Sequence, residues 1–127
     1  MQLIALKNKY SIYRFANGSP LPDWIYLSDF YSITKTKDEL SVVSVQNDND
    51  TGNSISSKDW RIIKIVGPLD LSLIGIIADI SAILKNKSIP IFAVSTFDTD
   101  YILVKQKDLE SGINALREKG HNVIFDE

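Results

Sequence analysis

The pattern of apolar and polar positions is clearest between Trp60 and Lys105. Trp60-Arg61-Ile62-Ile63-Lys64-Ile65-Val66 reads as a strand, and Gly67-Pro68-Leu69-Asp70 reads as a turn. Leu73, Ile76, Ile77, Ile80, Ile83 and Leu84 then recur at i, i+3, i+4, i+7 spacing, which predicts an amphipathic helix from about Leu71 to about Lys87. Asp70 is a candidate N-cap for it. At its far end Asn86-Lys87-Ser88 runs into Ile89-Pro90, which a helix does not easily cross. A hairpin follows, Ile91 to Thr96 and Tyr101 to Lys105 around Phe97-Asp98-Thr99-Asp100. Lys107 to Lys119 predicts a second helix with Leu109, Ile113 and Leu116 inward, and Gly120 stands where such a helix stops. His121 to Phe125 is a last strand. From Trp60 onward the order is β-α-β-β-α-β, the split βαβ arrangement of an α+β, ferredoxin-like fold.

The first half has strands but no long helix. Leu3 to Lys7 and Tyr10 to Phe15 read as a short hairpin broken at Lys7-Asn8-Lys9. Asn17 to Asp23 is turn chemistry, and Trp24 to Leu27 has room for one helical turn. Phe30 to Lys35 and Glu39 to Gln46 are two strands. Asn47 to Lys58 is polar and reads as a surface connection. Thr34, Asp38, Leu40 and Val42 match Thr96, Asp100, Ile102 and Val104 at one spacing, so the first half reads as a reduced copy of the second. Residues 1–58 are thus expected to form a reduced N-terminal unit and residues 59–127 a complete one.

Composition narrows the chemistry. The chain has 127 residues, enough for one domain or two very small ones sharing a core. A formal charge of −2 gives no broad field to attract nucleic acid or anionic lipid. There is no cysteine, so thiolate chemistry and disulfides are excluded. That absence suits a cytoplasmic setting. His121 is the only histidine, which leaves a histidine-based metal site without ligands. The apolar run from Leu71 to Leu84 is interrupted by Ser72, Asp79 and Ser81 and is too short to span a bilayer.

Three places can carry a ligand. The bend at Gly67 feeds a helix start, where unpaired N–H groups and the helix dipole suit a carboxylate. Asp70 as an ordinary cap explains the same residues. Gly75 either admits a ligand or a second backbone, or it permits close helix–strand packing. Asp98 and Asp100 can pair with a ligand amine, although turn residues also serve their own backbone. No nucleophile accompanies them.

Residues Trp60 to Asp70, then Gly75-Ile76-Ile77-Ala78, then Ile91 to Val104, resemble the small tandem ACT-domain proteins of bacteria. Phe30 to Thr34 and Asp38 to Val43 fit the same group, which is similar to the regulatory ACT pairs of aspartate kinase and to the arginine-sensing CASTOR proteins. The resemblance implies a non-catalytic regulatory protein with no cofactor and no metal, holding an amino acid or similar small zwitterion between paired ACT units. It implies that Gly67, Asp70, Leu71, Gly75 and Ile76 hold the ligand backbone. Thr96, Phe97 and Asp100 would face it, with Asp100 set for a basic side chain, and Ser41 and Val42 match a strand lining the same pocket. Where the arginine sensors have an acidic residue early in the helix, this chain has Leu73. A homodimer, with neither nucleic acid nor membrane as partner, is the expected assembly. The alternative is a protein-interaction adaptor that has lost its ligand.

Overall fold

The computed structural model describes residues 1–49, 54–67 and 75–126. Its strands are β1 (Gln2–Ala5), β2 (Tyr10–Phe15), β3 (Ser32–Lys35), β4 (Leu40–Val45), β5 (Ser54–Ile65), β6 (Phe92–Ser95), β7 (Asp100–Lys105) and β8 (Asn122–Phe125). Its helices are α1 (Ile76–Lys85) and α2 (Leu109–Glu118), with 3₁₀ turns at Asp23–Leu27 and Gln106–Asp108. The chain divides into two compact units, Asn8–Trp60 and Met1–Lys7 with Arg61–Glu127.

In the larger unit the βαββαβ order runs β5, α1, β6, β7, α2, β8, an α+β ferredoxin-like fold. A plain version would pair its first strand with its last. Here β1 lies between them, antiparallel to β5 (Leu3 opposite Ile65) and parallel to β8 (Leu3 opposite Val123). β7 pairs with β5 on the other side, and β6 closes that edge. The expected hairpin of the first two strands therefore does not form. Four residues, Leu6-Lys7-Asn8-Lys9, separate a strand of one unit from a strand of the other.

Both helices bury their apolar stripes in one core. Ile80, Ile83 and Leu84 of α1 meet Ile113, Ala115 and Leu116 of α2 over Leu3, Ala5, Ile63, Ile65, Ile102, Val104 and Val123 of the sheet. Gly112 lets the helices approach, since a Cβ there would stand 3.3 Å from Leu84 Cδ2.

The smaller unit is the same fold with its helices reduced. Its strand order is β3-β4-β2-β5, and the 3₁₀ turn Asp23–Leu27 occupies the first crossover. Ile25 of that turn is fully buried against Tyr13, Phe15, Leu40 and Val42. β5 begins at Ser54, so the stretch expected to be a bare connection up to Lys58 is partly strand. Its residues 55–59 are exposed, and a two-sided solvated strand leaves no apolar alternation to read. The first half of β5 pairs with β2, with a bulge between the Tyr10–Trp60 and Ile12–Ser57 pairs. Asp59 at the bulge is left-handed, φ 64°. Its N–H donates to Gln46 Oε1 at 2.7 Å and its carboxylate accepts from Gln46 Nε2 at 3.1 Å.

The two hairpin turns of the repeat are equivalent at a shift other than the one expected. Lys35 pairs with Leu40 and Ser95 with Asp100, so the turns correspond at an offset of 95 − 35 = 60 residues. The sequence match used an offset of 62. A slip of two residues preserves which face each side chain occupies, so alternation cannot detect it.

Helix ends are capped by backbone. α2 closes through Gly120, φ 91°, with Gly120 N–H donating to Arg117 O and His121 N–H to Leu116 O. α1 closes the same way, Ser88 N–H to Lys85 O and Ile89 N–H to Leu84 O. At α1 the left-handed residue is Ser88, φ 58°, where glycine is the usual occupant. Ser88→Gly is expected to raise stability by roughly 0.5–1 kcal/mol, the left-handed penalty less the freedom glycine adds to the unfolded chain. A urea-denaturation midpoint that falls instead would contradict this cap.

Candidate ligand-binding site

The bend after β5 and the turn between β6 and β7 are separated by about thirty residues in sequence, and one hydrogen bond joins them. Thr99 is buried, and its hydroxyl donates to the Ile65 carbonyl at 2.6 Å. Ile65 ends β5, two residues before Gly67. The turn itself is stapled by Thr96, whose N–H and hydroxyl donate to Thr99 O and whose Oγ1 accepts from Thr99 N–H. The Thr96 hydroxyl thereby gives its one proton to the turn and retains a second acceptor lone pair. Thr36 does the same for the β3–β4 turn, accepting from Asp38 N–H and Glu39 N–H.

Phe97 stands at the tip of the turn, 81% exposed. Asp100 accepts the Ser95 hydroxyl on Oδ1 at 2.5 Å, which leaves its second oxygen outside that bond. Gly67 is half-buried and Gly75 is exposed.

Gly75 is the N-cap of α1 rather than a residue inside its first turns. Asp70, Leu71 and Leu73 lie outside the described residues. The described helix starts at Ile76, later than the apolar spacing predicts. Gly75 has φ 85°, a backbone state that L side chains rarely adopt. Among the described residues, a Cβ there would meet nothing within 4 Å. Close helix–strand packing therefore does not explain this glycine; its backbone conformation does. Ile76, the next residue, is half-buried against the core.

Ser41 and Val42 belong to β4 of the smaller unit. Ser41 is half-buried, opposite Arg14 and Thr34. Val42 is fully buried in that unit's own core.

Two further residues sit near the start of α1. His121, immediately before β8, has a side chain only 8% exposed, and its Nε2 lies 3.3 Å from Asp79 Oδ2 in the first turn of α1. Its Nδ1 is buried without a hydrogen-bond partner among the described residues. Spacing alone gave no signal for this pair, because the two residues come from elements 42 positions apart (121 − 79). Thr99 was legible only as a turn residue, since a hydroxyl that donates to a distant carbonyl looks the same as one serving its own turn.

Among the described residues no group of three or more His, Asp or Glu could hold a metal ion, and no helix is long and apolar enough to cross a membrane.

Thr99→Val keeps the shape and removes the donor to Ile65. It is expected to cost about 1–2 kcal/mol, read by denaturant unfolding. A loss no larger than that of an exposed substitution such as Asp98→Asn would show that the bond does not hold the turn in place. Gly75→Ala is expected to cost roughly 1–2 kcal/mol by the same measurement, from the left-handed backbone alone.

Comparison with known proteins agrees with this architecture. A family model for the ACT domain matches residues 55–118, and a separate model for an N-terminal domain matches residues 8–49. A crystal structure of a protein from Agobacterium tumefaciens is 33% identical and superposes with a TM-score of 0.89, covering 99% of this chain and 93% of that one. A Vibrio cholerae protein of unknown function, described as a possible transport protein, is alike in fold at 14% identity and TM-score 0.71, over 92% of this chain and 88% of that one. So is the ligand-free regulatory subunit of aspartate kinase from Thermus thermophilus, at 12% identity and TM-score 0.62, over 87% and 92%. With its complete βαββαβ unit, a reduced companion unit and a family model spanning half its length, the chain belongs to the ACT-domain family.

Proposed function

We propose that this protein is a non-catalytic regulatory module that binds a small zwitterion, an amino acid or close analogue, at an ACT–ACT interface. The observation that carries this reading is the Thr99–Ile65 bond, which holds the Thr96–Asp100 turn against the end of β5 beside Gly67. A ligand carboxylate is suited to the helix start after Gly75, where N–H groups lack intrahelical acceptors. The ligand's ammonium or basic side chain is suited to the Asp100 oxygen that Ser95 does not occupy. Gly67, Asp70, Leu71, Gly75 and Ile76 then serve as the backbone-binding segment, with Phe97 as an apolar cover. The working assembly is a homodimer in a cytoplasmic setting, and regulation passes to a partner through the liganded interface.

A thermal-shift screen of the proteinogenic amino acids tests this. A ligand at 100 times its Kd is expected to add about 2.7 kcal/mol to the folded state, and Asp100→Asn to reduce the shift from any basic amino acid. If none of the amino acids at millimolar concentration raises the melting temperature, the sensor reading fails.

A further inference from the structure

A cavity lies in the smaller unit, on residues that the proposed amino-acid site does not use. It measures about 620 Å³, and its described lining lies within residues 8–49. That volume falls in the range of small-molecule sites, ~300–1,000 Å³. One wall is the indole of Trp24, with Leu27 and Val45. Trp24 is itself propped edge-on by Tyr13, ring centroids 5.3 Å apart.

The rest of the lining is polar and of one sign. Asp29 and Asp48 bring two carboxylates, and no lysine or arginine is among the described lining residues. Asn8, Asn47 and Asn49 add neutral amides. Such a wall repels phosphates and carboxylates and attracts a cation. Lys58 approaches Asp48 at 3.9 Å, with both side chains largely exposed, so Asp48 is partly balanced from outside. Asp29 has no such counter-ion within 4 Å among the described residues.

The walls are held from beneath by two buried tyrosines of β2. The Tyr10 hydroxyl donates to Asp29 Oδ1 at 2.9 Å, and the Phe30 N–H donates to the same oxygen. The Tyr13 hydroxyl accepts from the Asn47 N–H at 3.1 Å. Gln46 bonds Asp48 Oδ1 at 3.1 Å while it also holds the Asp59 bulge. Asp29 is thus fixed through Oδ1, and among the described residues nothing donates to its Oδ2. A carboxylate fixed through one oxygen, lining the same cavity as an indole, is the arrangement that an ammonium or guanidinium with a short apolar body fits, through a charge-assisted hydrogen bond and cation–π contact.

We infer that the cavity between Trp24 and Asp29 is a binding site for a small organic cation, an amine or guanidinium, separate from the amino-acid site. Titration calorimetry of the full chain tests this with putrescine and agmatine, using 1,4-butanediol as the uncharged counterpart of putrescine. Saturable binding of the two amines in the micromolar to millimolar range (~10⁻⁶ to 10⁻³ M), and none of the diol, is expected.

Asp29→Asn keeps an oxygen to accept from Tyr10 and Phe30 and removes the charge. It should weaken amine binding by about tenfold or more, while Asp98→Asn on the other unit's hairpin leaves it unchanged. Trp60→Phe leaves Trp24 as the sole tryptophan, and its fluorescence should change as putrescine is added. Asp29→Asn should leave stabilisation by amino acids intact, so loss of one activity does not imply loss of the other. Equal affinity for the diol, unchanged amine binding in Asp29→Asn, or no binding of either amine at about 10 mM would each overturn the assignment.

Discussion

A single buried hydrogen bond sets where the bend after β5 and the β6–β7 turn meet. The Thr99 hydroxyl reaches the carbonyl at the end of β5, away from its own ladder, and 34 residues of chain close between the two groups. The bond is neutral and contributes only about 1 kcal/mol net. Its importance is geometric. A tight turn stapled by Thr96 is rigid in itself but needs an anchor to face the bend at Gly67. His121 and Asp79 add a link between the start of β8 and the first turn of α1. Both links join groups that are distant in sequence, so each depends on the sheet order having formed.

That order is unusual for its class in one respect. The N-terminal strand β1 enters the larger unit between β5 and β8, which in an unmodified βαββαβ sheet would be neighbours. Pairing antiparallel to β5 and parallel to β8, it preserves the opposed directions of the two strands it separates. Leu3 and Ala5 of β1 then complete the core beneath both helices. The reduced unit achieves closure differently, with a 3₁₀ turn over its sheet and polar side chains that cross-link its backbone. Gln46 is the clearest case, since its amide engages Ser11, Asp48 and Asp59 together.

Several residues have roles that belong to the backbone rather than the side chain. Gly75 turns the chain into α1 through a positive φ, and no described residue comes within 4 Å of the place its Cβ would take. Ser88 and Asp59 accept the same left-handed state without glycine's freedom. Ser88 is held by the closing hydrogen bonds of α1, and Asp59 by Gln46. Each tolerates a penalty of about 1–2 kcal/mol because neighbouring bonds determine the conformation.

The apolar stripe of α1, the stop at Gly120 and the βαββαβ order were legible because each is written in local periodicity or in one punctuating residue. The turn chemistry of Thr96 to Asp100 was legible for the same reason, as was the shortage of helix in the first half. What escaped was everything decided by partners far along the chain: the place of β1, the strand character of Ser54 to Lys58, the true offset of the repeat, the Thr99 anchor and the His121–Asp79 pair. A polar strand paired at an edge carries no alternating signal, and a two-residue slip leaves every face unchanged. Sequence by itself determined which segments would be helix or strand, the polar start of β5 apart, and which faces would be apolar, since those follow from side-chain spacing of a few residues. Only the tertiary structure decided which strands became neighbours and which hydroxyl or carboxylate faced which bend, because those contacts exist only once distant segments are brought within hydrogen-bonding range.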